Sequence, residues 1–549
     1  MKTFQPKFFT CLKNYSGKQL VSDLIAGIIV AVIALPLSIA LAIASGVSPE
    51  KGLYTAIVAG FVIAFLGGSR VNISGPTAAF ATIVAGIVAT YGIGGLAMAT
   101  LMAGVILILL GVLRLGSLIK YIPPTITTGF TSGIALTIVI GQLKDFFGLT
   151  YPEGTHAVET VEKLEAVFVS ITTVNWWALL VGALGLAILI LWPKVSKKIP
   201  ASLVAVIVGT LVVMLMKKLG VSVNTIGDLY TIEATLPKFT LPTFSMDAIV
   251  ELIPNAFTIA ILAAIESLLS CVVSDEMVGD RHNSNTELIA QGAGNICSAL
   301  FGGIPATGAI ARTAANVKNG GRSPVSGMVH AVVLLLVLVL LMPFAAYIPM
   351  PIIAAVLLMV AYNMSEWRHF VKICKTAPAG DILVLVLTFV LTVAFDLVVA
   401  IAVGLVVAVV LFMKRMADVT HVREWTQKDA ADSKKKEIPE GVSVFEIEGP
   451  MFFADTEKFN VLPLNTESNV IILRMHGVPI MDMSATRVLL TLIRIYKERG
   501  ITLMLAHVNP QPLKVMKKAG VITALGEENL FPGITEALIS AAKHNSENT

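Results

Sequence analysis

Charge is what this sequence has little of: 14% of its 549 residues are Asp, Glu, Lys or Arg, against 56% hydrophobic, and its mean hydropathy is +0.83. A soluble globular domain carries about a quarter charged residues, so this scarcity excludes water as the solvent for most of the chain. Cysteine is scarce too. Cys11, Cys271, Cys297 and Cys374 lie far apart and two of them fall in apolar runs, which argues against a disulfide framework and a zinc site. The eight histidines are scattered and imply no metal. No nucleotide loop, nucleophile–base set or metal-ligand cluster stands out, so neither an enzyme nor a cofactor is implied. The net charge of +4 comes largely from Lys and Arg flanking apolar runs, a topological signal and not one for nucleic acid.

What the chain has in quantity is apolar stretches of about 20 residues, each long enough to cross a hydrocarbon core of about 30 Å. Candidate spans are 21–44, 53–67, 76–91, 95–113, 126–143, 174–192, 201–216, 254–273, 285–300, 305–317, 325–343, 347–362, 379–395 and 397–413. This is the pattern of a polytopic α-helical membrane protein. The first apolar run contains Pro36, is long and leads straight into further spans, so it does not read as a cleavable signal. Lys2, Lys7, Lys13 and Lys18 precede the first span. Alternate loops then carry Arg70, Arg114/Lys120, Lys194/Lys197/Lys198, Arg281, Lys318/Arg322, Arg368/Lys372/Lys375 and Lys414/Arg415, whereas basic residues in the opposite loops are diluted by Glu153, Glu159 and Glu162. The positive-inside rule then puts both termini in the cytoplasm of a multi-pass protein of the cell (inner) membrane.

Composition shifts near Ala417. A cytoplasmic segment 1–20 and a transmembrane region 21–415 are followed by a polar linker, 416–440, with a Lys run and a Pro-Glu-Gly turn. Beyond it, "VSVFEIEG" (442–449), "NVIILRM" (469–475) and "ITLMLAHV" (501–508) read as strands, and 484–500, 511–519 and 533–543 as helices. Alternation of that kind over 441–545 predicts a small cytoplasmic α/β domain.

Two proline-led interruptions stand out in the apolar region: "SGPTAAFAT" (74–82) and "GGIPATGAIART" (302–313). Pro76 and Pro305 are 229 positions apart; Pro36 and the intramembrane acid Glu266 are 230 apart. Two pairs of anomalies at nearly one offset suggest two homologous halves, about 21–220 and 250–415. A helix that begins inside a membrane leaves its first N–H groups unpaired, so it must line an enclosed cavity. There the N–H groups and the positive end of the helix dipole suit an anion. On this reading the Thr77 hydroxyl and the N–H groups of Ala78, Ala79 and Phe80 face substrate; the alternative is that Thr77 only bonds back to its own helix.

At these positions the chain resembles the sulfate-permease (SulP) anion transporter family. The matching stretches are "GIIVAVIALPLSIALAIASGVSPEKGLYTAIVAG", "SGPTAAFA", "ESLLSCVVSD" and "GGIPATGAIARTAANVKNGG", with a C-terminal region that looks like a STAS domain. The resemblance implies a 7+7 inverted-repeat fold of fourteen spans, as in uracil-type permeases, with core and gate domains, an elevator movement and a homodimer. It implies that Leu37, Ser38 and Ile39, after a break at Pro36, line the cavity, and that Gly308, Ala309, Ile310 and Ala311 offer backbone from the opposite half-helix. Arg312 stands where the family often has Arg, either raising the potential for anions or snorkelling towards a carboxylate. Glu266, with Ser270 one turn later, occupies the coupling-cation position of symporting relatives; a structural Glu266–Arg312 ion pair is the competing reading. Many eukaryotic relatives have Gln after the first-span Pro, where this chain has Leu37. In "VPIMDMSATRVL", Ser484 matches the phosphorylated Ser of anti-sigma-factor antagonists and is either a regulatory phosphosite or simply an N-cap beside Asp482.

These residues predict a secondary active transporter for sulfate, bicarbonate or a dicarboxylate, coupled to H⁺ or Na⁺, with a protein or nucleotide ligand open for the STAS domain. A nucleobase permease on the same fold and a membrane sensor or scaffold signalling through the STAS domain are the alternatives. No metal is implied beyond Na⁺ at the coupling site, and no nucleic-acid partner.

Overall fold

The computed structural model describes residues 4–548 except 14, 118–122, 153–156, 158, 197–198, 233–234, 243–245, 396, 428–436 and 454–467. Lys2, Lys120, Lys197, Lys198 and Glu153, used above for orientation, and 428–436 of the expected linker lie outside the described residues. The chain forms two compact units, Met1–Leu405 and Val406–Thr549.

In the first unit a short helix, α1 (Lys7–Leu12), precedes α2 (Gly17–Ala44) and α3 (Pro49–Leu66). A two-residue strand β1 (Ser74–Gly75) leads into α4 (Ala81–Val112), followed by α5 (Pro124–Phe147), α6 (Thr160–Val169), α7 (Trp176–Val195), α8 (Ala201–Lys218) and the single turn α9 (Ile226–Leu229). The pattern then recurs. Helices α10 (Met246–Val278) and α11 (Ser284–Leu300) lead to a second two-residue strand, β2 (Thr307–Gly308), and to α12 (Ile310–Lys318). After it come α13 (Val325–Leu341), α14 (Met350–Ser365), α15 (Trp367–Thr376), α16 (Ala379–Ala394) and α17 (Leu397–Val419), which runs on past Leu405 into the second unit.

Ten of the described helices are at least 18 residues long and apolar enough to cross a membrane. The longest run, Ala78–Val112, supplies two segments, because Gly92 leaves the helical conformation at φ 68°, ψ −173°. With the shorter α11, α12 and α16 these make fourteen segments, seven in each half. Seven crossings leave the chain on the side opposite its start, so the second seven run inverted relative to the first. Each half has a broken third segment, entered through a β strand and continued as a short helix.

Packing separates the segments into a core and a gate. In the core, α4 packs on α10 and α11, α13 on α2 and α3, and α12 on α10. In the gate, α14 packs on α5 and α7, α16 on α5, and α7 on α8. Small residues set how closely the core helices approach: a Cβ on Gly52 would sit 2.0 Å from the carbonyl oxygen of Ser38, so α2 and α3 meet backbone to backbone. Pro36 departs from expectation. It lies inside a continuous α2 instead of ending it, since losing one N–H donor costs a single hydrogen bond and neighbouring turns carry the helix across.

The second unit contains the sheet β3 (His421–Glu424), β4 (Val442–Glu448), β5 (Val470–Gly477), β6 (Thr502–Ala506) and β7 (Leu530–Phe531), in spatial order 3-4-5-6-7. Strands β4 to β7 are parallel and β3 is an antiparallel edge. Alternate residues face opposite layers. Ile471 and Leu473 pack towards Leu489, Ile493 and Tyr496 of α18 (Met483–Glu498). Val470 and Ile472 pack towards Ala537, Leu538 and Ala541 of the C-terminal helix Ile534–Asn548. A parallel sheet covered on both faces needs apolar residues at every position, which is why "VIIL" reads as a run. The expected linker over 416–440 begins differently from its reading: α17 runs to Val419, and the polar 421–424 pairs as an edge strand.

Replacing Gly52 by Ala is expected to destabilise the protein by about 1–3 kcal/mol through overpacking, read as a lower melting temperature in detergent. Gly17→Ala, where nothing lies within 4 Å of the new methyl, should leave it unchanged.

Candidate functional site

The two broken segments meet at the centre of the core. Ser74 pairs with Gly308 and Gly75 with Thr307 in an antiparallel crossing, extended by the Ala309 N–H donating to the Ile73 carbonyl at 2.8 Å. Proline is favoured before each helix start because it disfavours helical conformation in the residue preceding it and brings no N–H to satisfy. Three side chains hold the approach to β2. Asn295 exchanges two hydrogen bonds with the Ala306 backbone (2.8 and 2.9 Å), Thr55 accepts from Ile304 N–H at 2.7 Å, and Ser298 donates to the Ile304 carbonyl at 2.7 Å. Helix α10 supplies the floor: Ser267 Oγ accepts from Gly308 N–H (3.0 Å) and pairs with Thr307 Oγ1 (2.7 Å).

Thr77 has the extended backbone of an N-cap, φ −125° and ψ 159°, yet its hydroxyl does not cap the helix. It donates instead to Glu266 Oε2 across the crossing, at 2.9 Å. The hydroxyl therefore does not bond back to its own helix, and the N–H groups of Ala78 and Ala79 have no protein acceptor among the described residues. On the other side Ala309 occupies the cap position of α12 and has no side chain to cap with. The N–H groups of Ile310, Ala311 and Arg312 are likewise without a protein acceptor. Two helix starts are thus uncapped and joined by one strand pair, each with the positive end of its dipole. Leu37, Thr77, Glu266 and Ala309 are half-buried, Ile310 and Ala311 exposed, and Ser38, Ala78, Ala79, Phe80 and Gly308 buried.

Arg312 is buried and reaches back over the crossing, where Nη2 donates to the Pro76 carbonyl at 2.8 Å. Nη1 has no partner and lies against Gly75, 2.7 Å from where a Cβ would be. Arg312 therefore bonds to the backbone of the opposite half and not to Glu266. Ser270 is buried one turn beyond Glu266, and its hydroxyl goes to Asn72 Oδ1 at 2.7 Å. In the second unit Asp482, not Ser484, is the N-cap of α18, accepting from Ala485 N–H at 2.9 Å. Ser484 is a half-buried residue inside the first turn.

Sequence reasoning missed the layer beneath the crossing. Glu287 is fully buried on α11 and accepts four hydrogen bonds: from Gly68 N–H, Ser69 N–H, Asn72 Nδ2 and Gln291 Nε2. Asn72 passes the connection on, accepting from Ser270 and Thr313, while Gln291 reaches Ser74 at 3.1 Å. The signal was present in "SNTELIAQGAGNICSAL", where Glu287, Gln291 and Asn295 recur every fourth residue and so share one helix face. His330 of α13 is also fully buried, with neither ring nitrogen partnered.

Fourteen segments in two inverted halves, with paired uncapped half-helices in the core, define a membrane transport protein whose site suits an anion. The sulfate permease family matches residues 20–388 and the STAS domain residues 433–537. The chain is 40% identical over 529 residues to the putative sulfate transporter YvdB of Bacillus subtilis (strain 168), covering 96% of this chain and 98% of that one. It is 31% identical to the bicarbonate transporter BicA of Synechocystis, over 97% of both chains. Its fold matches murine Solute Carrier 26 family member A9, an anion transporter solved in the inward-facing state, with a TM-score of 0.86 at 19% identity over 98% of this chain and 94% of that one. The chain belongs to the sulfate permease family of anion transporters and carries a STAS domain. It is a transporter by family, not an enzyme, and the nucleobase alternative gains no support from these relatives.

Thr77→Val keeps the shape of the side chain and removes the donor to Glu266. Losing that tie between the acid and the helix start is expected to lower gradient-driven anion accumulation, by up to the roughly tenfold that a hydrogen bond of about 0.5–1.5 kcal/mol represents, with Thr77→Ser retaining most of it. Wild-type uptake by Thr77→Val would leave the hydroxyl without a role.

Proposed function

We propose that the chain is a secondary active transporter for a small oxyanion, driven by a cation taken up at Glu266. The observation that carries this reading is the Thr77–Glu266 hydrogen bond: it ties an acidic side chain to the start of an uncapped half-helix. A negative charge roughly 5 Å from a bound anion opposes binding by about 3 kcal/mol at an effective permittivity of about 20. Neutralising Glu266 removes that opposition, so the anion and the cation each raise the other's affinity by the same factor. Backbone N–H groups recognise anionic oxygens without naming the central atom. Sulfate and bicarbonate are the first substrates to test because the relatives above carry them in their names; a dicarboxylate is the third. The Ser270 hydroxyl, the second oxygen expected for Na⁺, goes to Asn72 instead, so a proton is the first coupling ion to test.

The half-helices, Glu266 and Arg312 all belong to the core, and this supports an elevator in which the core carries the site past the gate. The bias of Lys and Arg towards alternate loops supports a cell (inner) membrane protein with both termini cytoplasmic, and family membership supports a homodimer. Residues 441–545 would then be an accessory cytoplasmic domain, with Ser484 as a regulatory phosphosite to test in it.

Purified protein in liposomes, given labelled sulfate, bicarbonate or succinate under an imposed proton or sodium gradient, tests the proposal. One of the three anions is expected to accumulate against its gradient, driven by protons; if none does, secondary active transport is overturned. Glu266→Gln is expected to abolish gradient-driven accumulation while preserving anion exchange at equilibrium. Accumulation that survives the substitution would remove Glu266 as the coupling residue.

A further inference from the structure

Helix α15 is unlike its neighbours. Glu366, at φ 41° and ψ 37°, is a non-glycine residue in the left-handed region, and it turns the chain sharply between α14 and α15. No residue of α15 is buried. Trp367, Phe370, Val371 and Cys374 fall at helical spacing on one side, and Arg368, His369, Lys372 and Lys375 on the other; the helix contains no acid. A helix of this kind between two membrane spans lies in the plane of the membrane surface, with its basic side at headgroup level.

Beneath it is an open cavity of about 440 Å³, walled by α5, α14 and α16. Its wall includes Ala135, Leu136, Val139, Leu358, Trp367 and Phe389. The two serines that line it are already satisfied: Ser132 Oγ donates to the Ser365 carbonyl at 2.7 Å and Ser365 Oγ to the Tyr362 carbonyl at 2.8 Å. Apart from Tyr362 and the Trp367 indole, the wall thus offers no polar side chain to an occupant, and a polar solute entering it would lose most of its water without replacement. A hydrocarbon chain would not. At the rim the Arg368 guanidinium lies over the Trp367 ring, 5.5 Å from its centroid, which sets a cation beside the opening.

We propose that this groove holds one acyl chain of an anionic phospholipid, with the lipid phosphate met by Arg368 and Lys372. The apolar wall selects the chain, and the basic face of α15, which contains no acid, selects the headgroup. The lipid fills a gap between α5, α14 and α16 that the side chains leave open, and so stabilises the gate.

The full-length protein in detergent, exchanged into equal amounts of palmitoyl-oleoyl phosphatidylglycerol and the matching phosphatidylcholine, is examined by native mass spectrometry. Preferential retention of phosphatidylglycerol is expected, with a higher melting temperature than in phosphatidylcholine. Arg368→Gln with Lys372→Gln should cut that preference by at least about fivefold, since each basic residue near an anionic surface contributes about that factor. Leu136→Trp, filling the groove from its exposed wall, should lose both lipids. Equal retention of the two lipids by the wild type, or undiminished retention by either variant, overturns the proposal. So does a shift from two copies to one caused by either variant, because a second copy of the chain would then be the occupant. The double Gln variant alters only exposed side chains, so the test stands even where the Trp variant fails to fold.

Discussion

A helix that starts inside a membrane needs partners for its first N–H groups, and lipid has none to give. This constraint organises the core. Two such starts are brought together so that their extended approaches pair with each other as β1 and β2, which satisfies the backbone up to the helix ends. Thr55, Ser267, Asn295 and Ser298 then satisfy the approach to the second start. Among the described residues, the N–H groups left unmet there include those of Ala78 and Ala79 on one side and of Ile310, Ala311 and Arg312 on the other. The chain places no capping side chain there: Thr77 spends its hydroxyl on Glu266, and Ala309 has none.

Holding that arrangement requires polar groups deep in the protein. Glu287 is a buried acid satisfied wholly by donors, four of them, from both the loop before β1 and its own helix. A buried acceptor with that many donors resists replacement, because removing it strands all four. Through Asn72 it also orders Ser270 and Thr313, so the floor of the crossing and its α12 side are positioned by one network. Arg312 closes the top by bonding to the Pro76 carbonyl. The crossing is therefore fixed from α3, α10, α11 and α12 at once, and a substitution in any of these helices reaches it.

Much of this was legible in the chain. Ten long helices among the described residues follow from hydropathy, because a helix facing lipid must be apolar, whereas α11 and α12 carry polar residues that the core encloses. The two breaks follow from Pro76 and Pro305, and the two halves from their common offset. The misreadings share a cause: they concern single residues whose role depends on what packs against them. Pro36 looked like a break but sits in a continuous helix. Ser270 shares a helix face with Glu266, yet its hydroxyl turns to Asn72, a residue nearly two hundred positions earlier in the chain. The strand at His421–Glu424 is polar because it is an exposed edge, so it carries no apolar alternation to reveal it. Asp482 and Ser484 are both good caps, and sequence alone does not choose between them.

The placement of Glu266 has a consequence for any transport cycle. It sits on α10, which packs on α4 and α12, the two helices whose starts form the crossing. Anion site and acid are thus parts of one packed body, joined by the 2.9 Å hydrogen bond to Thr77. If the core moves against the gate, the acid, the anion and Arg312 move together, and the charge that crosses the membrane is their sum. With Arg312 positive, an empty site with Glu266 ionised is neutral, whereas a proton on Glu266 without an anion leaves one uncompensated positive charge in a low-dielectric region, which is costly. A monovalent anion without the proton leaves one negative charge, and anion and proton together restore neutrality. If Glu266 is the coupling acid, as proposed, the same group would also penalise the half-loaded states during movement, without any contact between core and gate having to sense the ligand.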